Sequence, residues 1–375
     1  MKKKILVIFG TRPEAIKLAP LIIELRKFPG AFDVRVCVTA QHREMLDQVL
    51  RFFEIVPDDD LNIMRPGQTL FDVTRDSLDG LKNIIGSYRP DWVVVQGDTT
   101  TVFTAALVSF YHRVKVAHVE AGLRSFNKFA PFPEEINRVL TSHLADLHFA
   151  PTERARKNLL QEGVPEDRVH VVGNTVIDAL LHGVGKVKDL TPDQFGHAFK
   201  GLNGSVLSKR IILVTGHRRE NFGKPFENIC HALKELAQRE NTAVIYPVHL
   251  NPNVRKPVFD ILKGAVNVHL IEPLDYPAFI WLMEKSHLIL TDSGGVQEEA
   301  PSLGKPVLVM REVTERTEGI DAGTAMLVGT DPAVITREAG ALLDDPGRYA
   351  SMADRKNPYG DGRSSHKIQE VLARQ

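Results

Sequence analysis

Acid–base chemistry needs ionisable groups held close together and away from bulk water, and four residues of this 375-residue chain are placed for it. Asp98, Glu120 and His217 each follow an apolar run directly or after one glycine, and Glu134 stands in Pro133-Glu134-Glu135. Carboxylates gathered from separate segments raise one another's pKa and can supply an acid and a base. His217 adjoins Arg218 and Arg219, a basic neighbourhood suited to a pyrophosphate. Ser293-Gly294-Gly295 opens a helical pattern, where backbone N–H groups can approach an anion at the positive helix end. Glu299, a turn further on, could accept hydrogen bonds from a ribose diol, while Arg12 and Lys17 bring positive charge after the first apolar run.

Taken singly, each has an ordinary explanation. Ser293 could cap a tight turn. Asp98 could cap a helix over Thr99–Ala106, Glu134 could offset a helix dipole, and Glu299 could be an exposed helix-face acid. Lys17 reads alone as a solvated cation, and Arg316, within Arg311–Glu318, as part of a surface salt-bridge face. A loop histidine is more often unremarkable than catalytic. Gly216–Lys224 is not a P-loop, since six residues, too many, separate its glycines and Pro225 stands where Ser or Thr is needed. There is no G-x-G-x-x-G fingerprint, no H-E-x-x-H and no paired-cysteine motif. Neither a dinucleotide nor a metal is expected.

The elements that must position these residues follow from apolar patterning. Short β-rich runs are predicted at Ile5–Phe9, Val34–Thr39, Trp92–Gln96, Val114–Val119, Leu147–Ala150 and Val169–Val172. A second series follows at Ile211–Thr215, Ala243–Val248, Val266–Ile271, Leu288–Thr291, Val307–Met310 and Ala325–Val328. Helical patterns such as Glu14–Lys27, Thr100–Tyr111, Glu153–Glu162 and Pro225–Arg239 lie between them. Continuous apolar strands joined by helices mean parallel sheets covered on both faces. The expected fold class is α/β, with two Rossmann-like doubly wound domains and the site in a cleft between them. The expected boundaries are residues 1–172, a linker over 173–209, and residues 210–363. In such sheets ligands bind beyond the carboxyl ends of the strands, where the candidate residues fall.

Lys plus Arg equals Asp plus Glu at 47 each, so a nucleic-acid partner is not expected. The opening Met1–Lys4 and the short apolar run Ile5–Phe9 are too brief for a signal peptide or a membrane span, and a cytoplasmic protein is expected. Cys37 and Cys230 read as buried small apolar residues.

Taken together, the motifs resemble those of the non-hydrolysing UDP-N-acetylglucosamine 2-epimerases. They are Gly10-Thr11-Arg12-Pro13-Glu14-Ala15-Ile16-Lys17, Gln96-Gly97-Asp98, His118-Val119-Glu120-Ala121-Gly122-Leu123-Arg124, Pro133-Glu134-Glu135-Ile136-Asn137-Arg138, Gly173-Asn174-Thr175-Val176-Ile177-Asp178, Thr215-Gly216-His217-Arg218-Arg219-Glu220-Asn221 and Asp292-Ser293-Gly294-Gly295-Val296-Gln297-Glu298-Glu299. They span nearly the whole chain in order. The resemblance implies the two-Rossmann-domain (GT-B) fold and the interconversion of UDP-GlcNAc and UDP-ManNAc. UDP would leave carbon 1 as the carbon 2 proton is taken, giving 2-acetamidoglucal, without cofactor or metal. It places catalysis on Asp98, Glu120, Glu134 and His217, and supporting substrate contacts on Lys17 and Arg138. Ser293, Gly294 and Gly295 would hold the diphosphate, Glu299 the ribose, and Arg12 and Arg316 the negative charge. Main chain near Leu274 and Phe279 would read the uracil.

By the same resemblance the final helix, about 364–375, returns to the first domain, and a hinge lies near Asn174. A homodimer serving cell-surface polysaccharide synthesis is expected. A second UDP-GlcNAc could act as activator through Gln41, His42, Arg218 and His249. Glu44 and Gly67 stand where some members carry Gln and Arg, which places that regulation in question. Three rivals remain: an epimerase of a related UDP-sugar such as a diacetamido-uronic acid, which would keep the uridine-facing motifs, an inverting UDP-sugar glycosyltransferase, which would share the fold and the diphosphate site, and a nucleotide-sugar sensor without turnover.

Overall fold

The chain folds, in a computed structural model describing residues 2–40 and 43–375 (backbone only for Arg43), into two compact units. The first comprises Met1–Ala179 with Tyr359–Gln375, the second Leu180–Pro358. Gln41 and His42 lie outside the described residues.

The first unit contains strands β1 (Lys3–Phe9), β2 (Phe32–Val38), β3 (Asp59–Asp60), β4 (Trp92–Gln96), β5 (Lys115–Val119), β6 (Leu147–Ala150) and β7 (Val169–Val171). The second contains β8 (Arg210–Thr215), β9 (Thr242–Pro247), β10 (Val268–Ile271), β11 (Leu288–Thr291), β12 (Val307–Val309) and β13 (Ala325–Leu327). The sheet orders are β3-β2-β1-β4-β5-β6-β7 and β10-β9-β8-β11-β12-β13, parallel throughout. Each is therefore doubly wound, with strand order reversing between β1 and β4 and between β8 and β11. Ligands bind at that reversal in open α/β sheets.

Apolar character makes these strands. Ile5, Leu6, Val7, Ile8 and Phe9 of β1 are wholly buried, as are Ile212, Leu213 and Val214 of β8. Helices cover the sheets: Thr100–Tyr111 lays Val102, Ala105 and Ala106 into the first core, and Lys224–Leu236 lays Phe226, Ile229 and Leu233 into the second. Cys37 and Cys230 are buried in these cores, and burial pushes the Cys230 thiol up to about 12.

The last helix, Ser364–Arg374, packs within the first unit against the helix Arg12–Arg26. Both its ends are tied. Asp178 Oδ2 and Oδ1 accept from the N–H groups of Ser364 (3.2 Å) and Ser365 (2.7 Å). Lys3 Nζ donates to the carbonyls of Leu372 (2.9 Å) and Ala373 (2.7 Å) at the other end. Residues 173–209, read from sequence as a linker, carry the helix Thr175–Val187, and the units divide after Ala179. No helix among the described residues is long and apolar enough to cross a membrane.

Candidate active site

In the first unit, chemistry gathers where β1, β4 and β5 end. Thr11 caps the helix Arg12–Arg26, and Glu14 turns back into the loop. Only 2% exposed, Glu14 accepts from the N–H groups of Gly10 (3.1 Å) and Thr11 (2.7 Å) and from Thr99 Oγ1 (2.8 Å). One buried carboxylate thus ties the loop after β1 to the loop after β4, across the sheet's reversal. Burial pushes its pKa up, opposed by those hydrogen bonds. Arg12 opens the helix, and its side chain has no ion pair among the described residues.

Glu120 follows β5 with a left-handed backbone, φ +62°. Gly122 follows at φ +90°, where a Cβ would lie 2.2 Å from the Ala155 carbonyl oxygen, so this turn admits no side chain there. The Glu120 carboxylate is held from three sides. Lys17 Nζ donates to both oxygens (2.6 and 2.7 Å), Asn174 Nδ2 to Oε1 (3.0 Å), and Gln96 Nε2 to Oε2. Lys17 is therefore no solvated cation. From the helix Arg12–Arg26 it reaches the residue that follows β5.

Asp98 is no helix cap: Thr99 takes that role, its hydroxyl accepting from the Val102 N–H. Arg138 grips Asp98 Oδ2 through Nε (3.1 Å) and Nη2 (3.0 Å), and Asn137 Nδ2 donates to the Asp98 carbonyl (2.9 Å). Burial pushes the Asp98 pKa up. Arg138 and Lys17 oppose the rise, while the charges of Glu120 and Glu134 add to it. Both of the other carboxylates thus act on Asp98. Glu134 opens the helix Glu134–Leu144, and its Oε2 is buried without a hydrogen-bond partner. The set comprises one carboxylate locked to a cation, one paired but pushed toward protonation, and one with an uncommitted oxygen. That asymmetry suits proton donation and acceptance. Arg124, by contrast, is structural: wholly buried, it binds Glu162 (2.6 Å) and Ser142 (2.9 Å).

In the second unit, β8 and β11 end side by side. Asp292 Oδ2, wholly buried, accepts from the N–H groups of His217 (2.9 Å) and Arg218 (2.8 Å). His217 stacks on His249 with centroids 5.3 Å apart and planes at 18°. Burial lowers the His217 pKa, Asp292 opposes that, and His249 and Arg218 add to it. Ser293 precedes the helix Gly294–Glu299 and makes no side-chain cap. A Cβ on Gly294 would sit 3.3 Å from the Arg316 guanidinium, and one on Gly295 3.8 Å from a Glu299 oxygen. Gly294 therefore gives the Arg316 guanidinium room to close over the turn, while the contact at Gly295 is an ordinary one. Arg316 does take part in a surface ion pair, its Nη1 on exposed Glu315 (3.0 Å), but its Nε also donates to buried Glu298 (2.8 Å). Glu299 is likewise 8% exposed. Leu274 lies in the loop after β10, and the Phe279 N–H in the following helix is bound to the Asp275 carbonyl (2.9 Å). Among the described residues no group of His, Cys, Asp and Glu is arranged to hold a metal ion.

Glu14, Gln96, Asn174 and Asp292 belong to these clusters and were not singled out from sequence as site residues. Each lies inside a motif that was, and the capping box Thr11-Arg12-Pro13-Glu14 marks Glu14 as tied to the β1 loop, but nothing local marks Gln96 or Asn174 as a holder of Glu120 or Asp292 as a holder of His217.

Residues 24–373 match the family model described as UDP-N-acetylglucosamine 2-epimerase. The chain is 56% identical over 372 residues to the UDP-N-acetylglucosamine 2-epimerase of Salmonella typhimurium, covering 98% of each. Among solved structures it resembles the UDP-GlcNAc 2-epimerase of Neisseria meningitidis bound to UDP-GlcNAc, with TM-score 0.87, 51% identity, and coverage of 99% of this chain and 100% of that one. The Methanocaldococcus jannaschii enzyme in complex with UDP-GlcNAc and UDP matches with TM-score 0.79 and 37% identity, covering 99% and 100%.

Proposed function

This chain belongs to the UDP-N-acetylglucosamine 2-epimerase family, and from that premise we propose how its residues perform the reaction. The enzyme is an isomerase that interconverts UDP-GlcNAc and UDP-ManNAc. The proton on sugar carbon 2 adjoins an acetamido group rather than a carbonyl, so its removal gains little resonance help. Expelling UDP from carbon 1 as the proton leaves avoids a free carbanion and gives 2-acetamidoglucal. UDP then adds back while a proton reaches the other face of carbon 2.

In this reading Asp98, Glu120 and Glu134 handle the proton, with Lys17 and Arg138 holding the first two carboxylates and touching the sugar. Ser293, Gly294 and Gly295 receive the diphosphate, where Arg12, Arg316 and His217 stabilise the charge that expulsion builds. Glu299 takes the ribose, and main chain near Leu274 and Phe279 the uracil. A second UDP-GlcNAc as activator, assembly as a homodimer and a role in cell-surface polysaccharide synthesis carry over from the resemblance as parts of the same proposal. For the activator, Arg218 Nε is buried without a hydrogen-bond partner beside His217 and His249. Arg65, which could supply the cation absent at Gly67, is paired with Asp76 (3.0 Å), and activation weaker than in members with Gln and Arg is the reading we favour.

The observation that carries the reading is the carboxylate set around Asp98, which a sensor would not need. Asp98→Asn and Glu134→Gln are expected to cut turnover of UDP-GlcNAc about a hundredfold or more while the UDP dissociation constant stays within a few-fold. Near-normal turnover in both variants would remove the proton-handling assignment.

A further inference from the structure

Asp292 presents an unexplained atom. Its Oδ2 is fully used, accepting from the N–H groups of His217 and Arg218 and facing Asn221 Nδ2 at 3.4 Å. Its Oδ1 is buried with no hydrogen-bond partner. A buried carboxylate oxygen left without a donor is costly and calls for a reason. The nearest basic atom is His217 Nδ1, 3.7 Å away, about 0.8 Å longer than an ordinary N–H···O bond. The loop cannot drift from this arrangement, because the same carboxylate pins the backbone of the very residue whose ring it faces. Tyr246 Oη adds a bond to the Gly216 carbonyl (2.8 Å), and Gly216 leaves room for both.

We infer that Asp292 is a positioning residue for His217, its Oδ1 taking the Nδ1 proton and so turning Nε2 toward the reaction. The inference rests on the reading of His217 as a site residue given above. With Nδ1–H held by Asp292, a proton gained at Nε2 makes an imidazolium whose charge the buried carboxylate balances. That Nε2–H then donates to the diphosphate oxygen on which charge grows as the bond to carbon 1 breaks. No other proton need move at this residue. Among the described residues, His249 and Arg218 disfavour the imidazolium and Asp292 is the neighbour whose charge stabilises it.

Asp292→Asn separates this from a purely structural role. The amide oxygen keeps the two backbone N–H groups, which puts the NH2 group opposite Nδ1. There it donates to Nδ1, reverses the neutral tautomer and blocks the imidazolium. The expected result is a fall in kcat of about ten- to a hundredfold at pH 8 that shrinks toward pH 6. UDP binding and the melting temperature should change little. His217→Gln should be impaired as well, and Asp292→Asn in that background should add nothing. A defect that is the same at both pH values, or that multiplies with His217→Gln, would overturn the inference. If His217→Gln itself turns over normally, the underlying assignment of His217 fails instead. Should Asp292→Asn not fold, nitrogen-15 NMR of histidine-labelled wild-type enzyme at alkaline pH decides. Proton on Nδ1 of His217 supports the inference, and proton on Nε2 overturns it.

Discussion

Glu120→Gln tests whether the three-sided grip on Glu120 serves catalysis or merely the fold. In the native chain Lys17 Nζ lies 2.6 and 2.7 Å from the two carboxylate oxygens, and Asn174 and Gln96 donate one bond each. The amide keeps one acceptor and turns an N–H toward a donor. One charge-assisted bond is worth about 1.5–3 kcal/mol, and stranding one member of a buried pair costs about 3–5 kcal/mol. The Lys17 side chain is 18% exposed, so water recovers part of that, and a loss of about 2–4 kcal/mol is expected. For a unit of this size that lowers the melting temperature by roughly 5–15 °C. Turnover should fall about 10²- to 10⁴-fold. The decisive variant is Lys17→Met with Glu120→Gln, which removes both charges and leaves neither stranded. Calorimetry should find much of the stability restored, while turnover of UDP-GlcNAc stays low. Joint recovery of stability and turnover would refute the catalytic assignment of Glu120.

Arg12→Ala and Arg316→Ala should each raise the UDP dissociation constant about ten- to a hundredfold by calorimetry, the loss of one charge-assisted contact; an unchanged constant in both would remove them from the diphosphate site. A second expectation concerns acid stability. His118 and His148, adjacent on β5 and β6, are buried, and burial lowers their pKa values to about 4 and about 3. The unfolded chain, titrating near 6.5, therefore binds more protons between that pH and about 4, so stability falls as pH drops through this window. His148→Leu should flatten the fall in thermal scans from pH 7 to 4; an identical slope would show that these rings do not govern acid sensitivity.

Physical reasons separate what the sequence disclosed from what it did not. Trp92–Gln96, Leu147–Ala150 and Leu288–Thr291 are strands over the residues expected, because a fully buried parallel strand is an apolar run bounded by turn residues. Asp59–Asp60 has no such run. It is a strand only because it pairs with Cys37 and Val38 of β2 and because Arg35 binds Asp59 (2.6 Å). The helix over Thr175–Val187 falls within a stretch read as linker because of its glycines and polar residues, although Val176, Ile177, Leu180, Leu181, Val184 and Val187 recur at helical spacing. Lys17, Glu299 and Arg316 looked like surface charges for another reason. A charged side chain shows its burial only through its partner, and the buried partners of Lys17 and Arg316 lie 103 and 18 residues away. Asp292 is the extreme case, because it spends its Oδ2 on backbone N–H groups, which leave no mark in a sequence, whereas Glu14 was legible as the last residue of the capping box Thr11-Arg12-Pro13-Glu14.

Proton NMR of the enzyme turning over UDP-GlcNAc in heavy water, with no nucleotide cofactor or metal added, tests the central claim most directly. Elimination and re-addition break the bond from carbon 2 to hydrogen in every turnover. The account predicts UDP-ManNAc carrying deuterium at carbon 2, with deuterium appearing at the same carbon of the remaining UDP-GlcNAc as the reverse reaction proceeds. UDP-ManNAc formed with its original hydrogen at carbon 2 would contradict it.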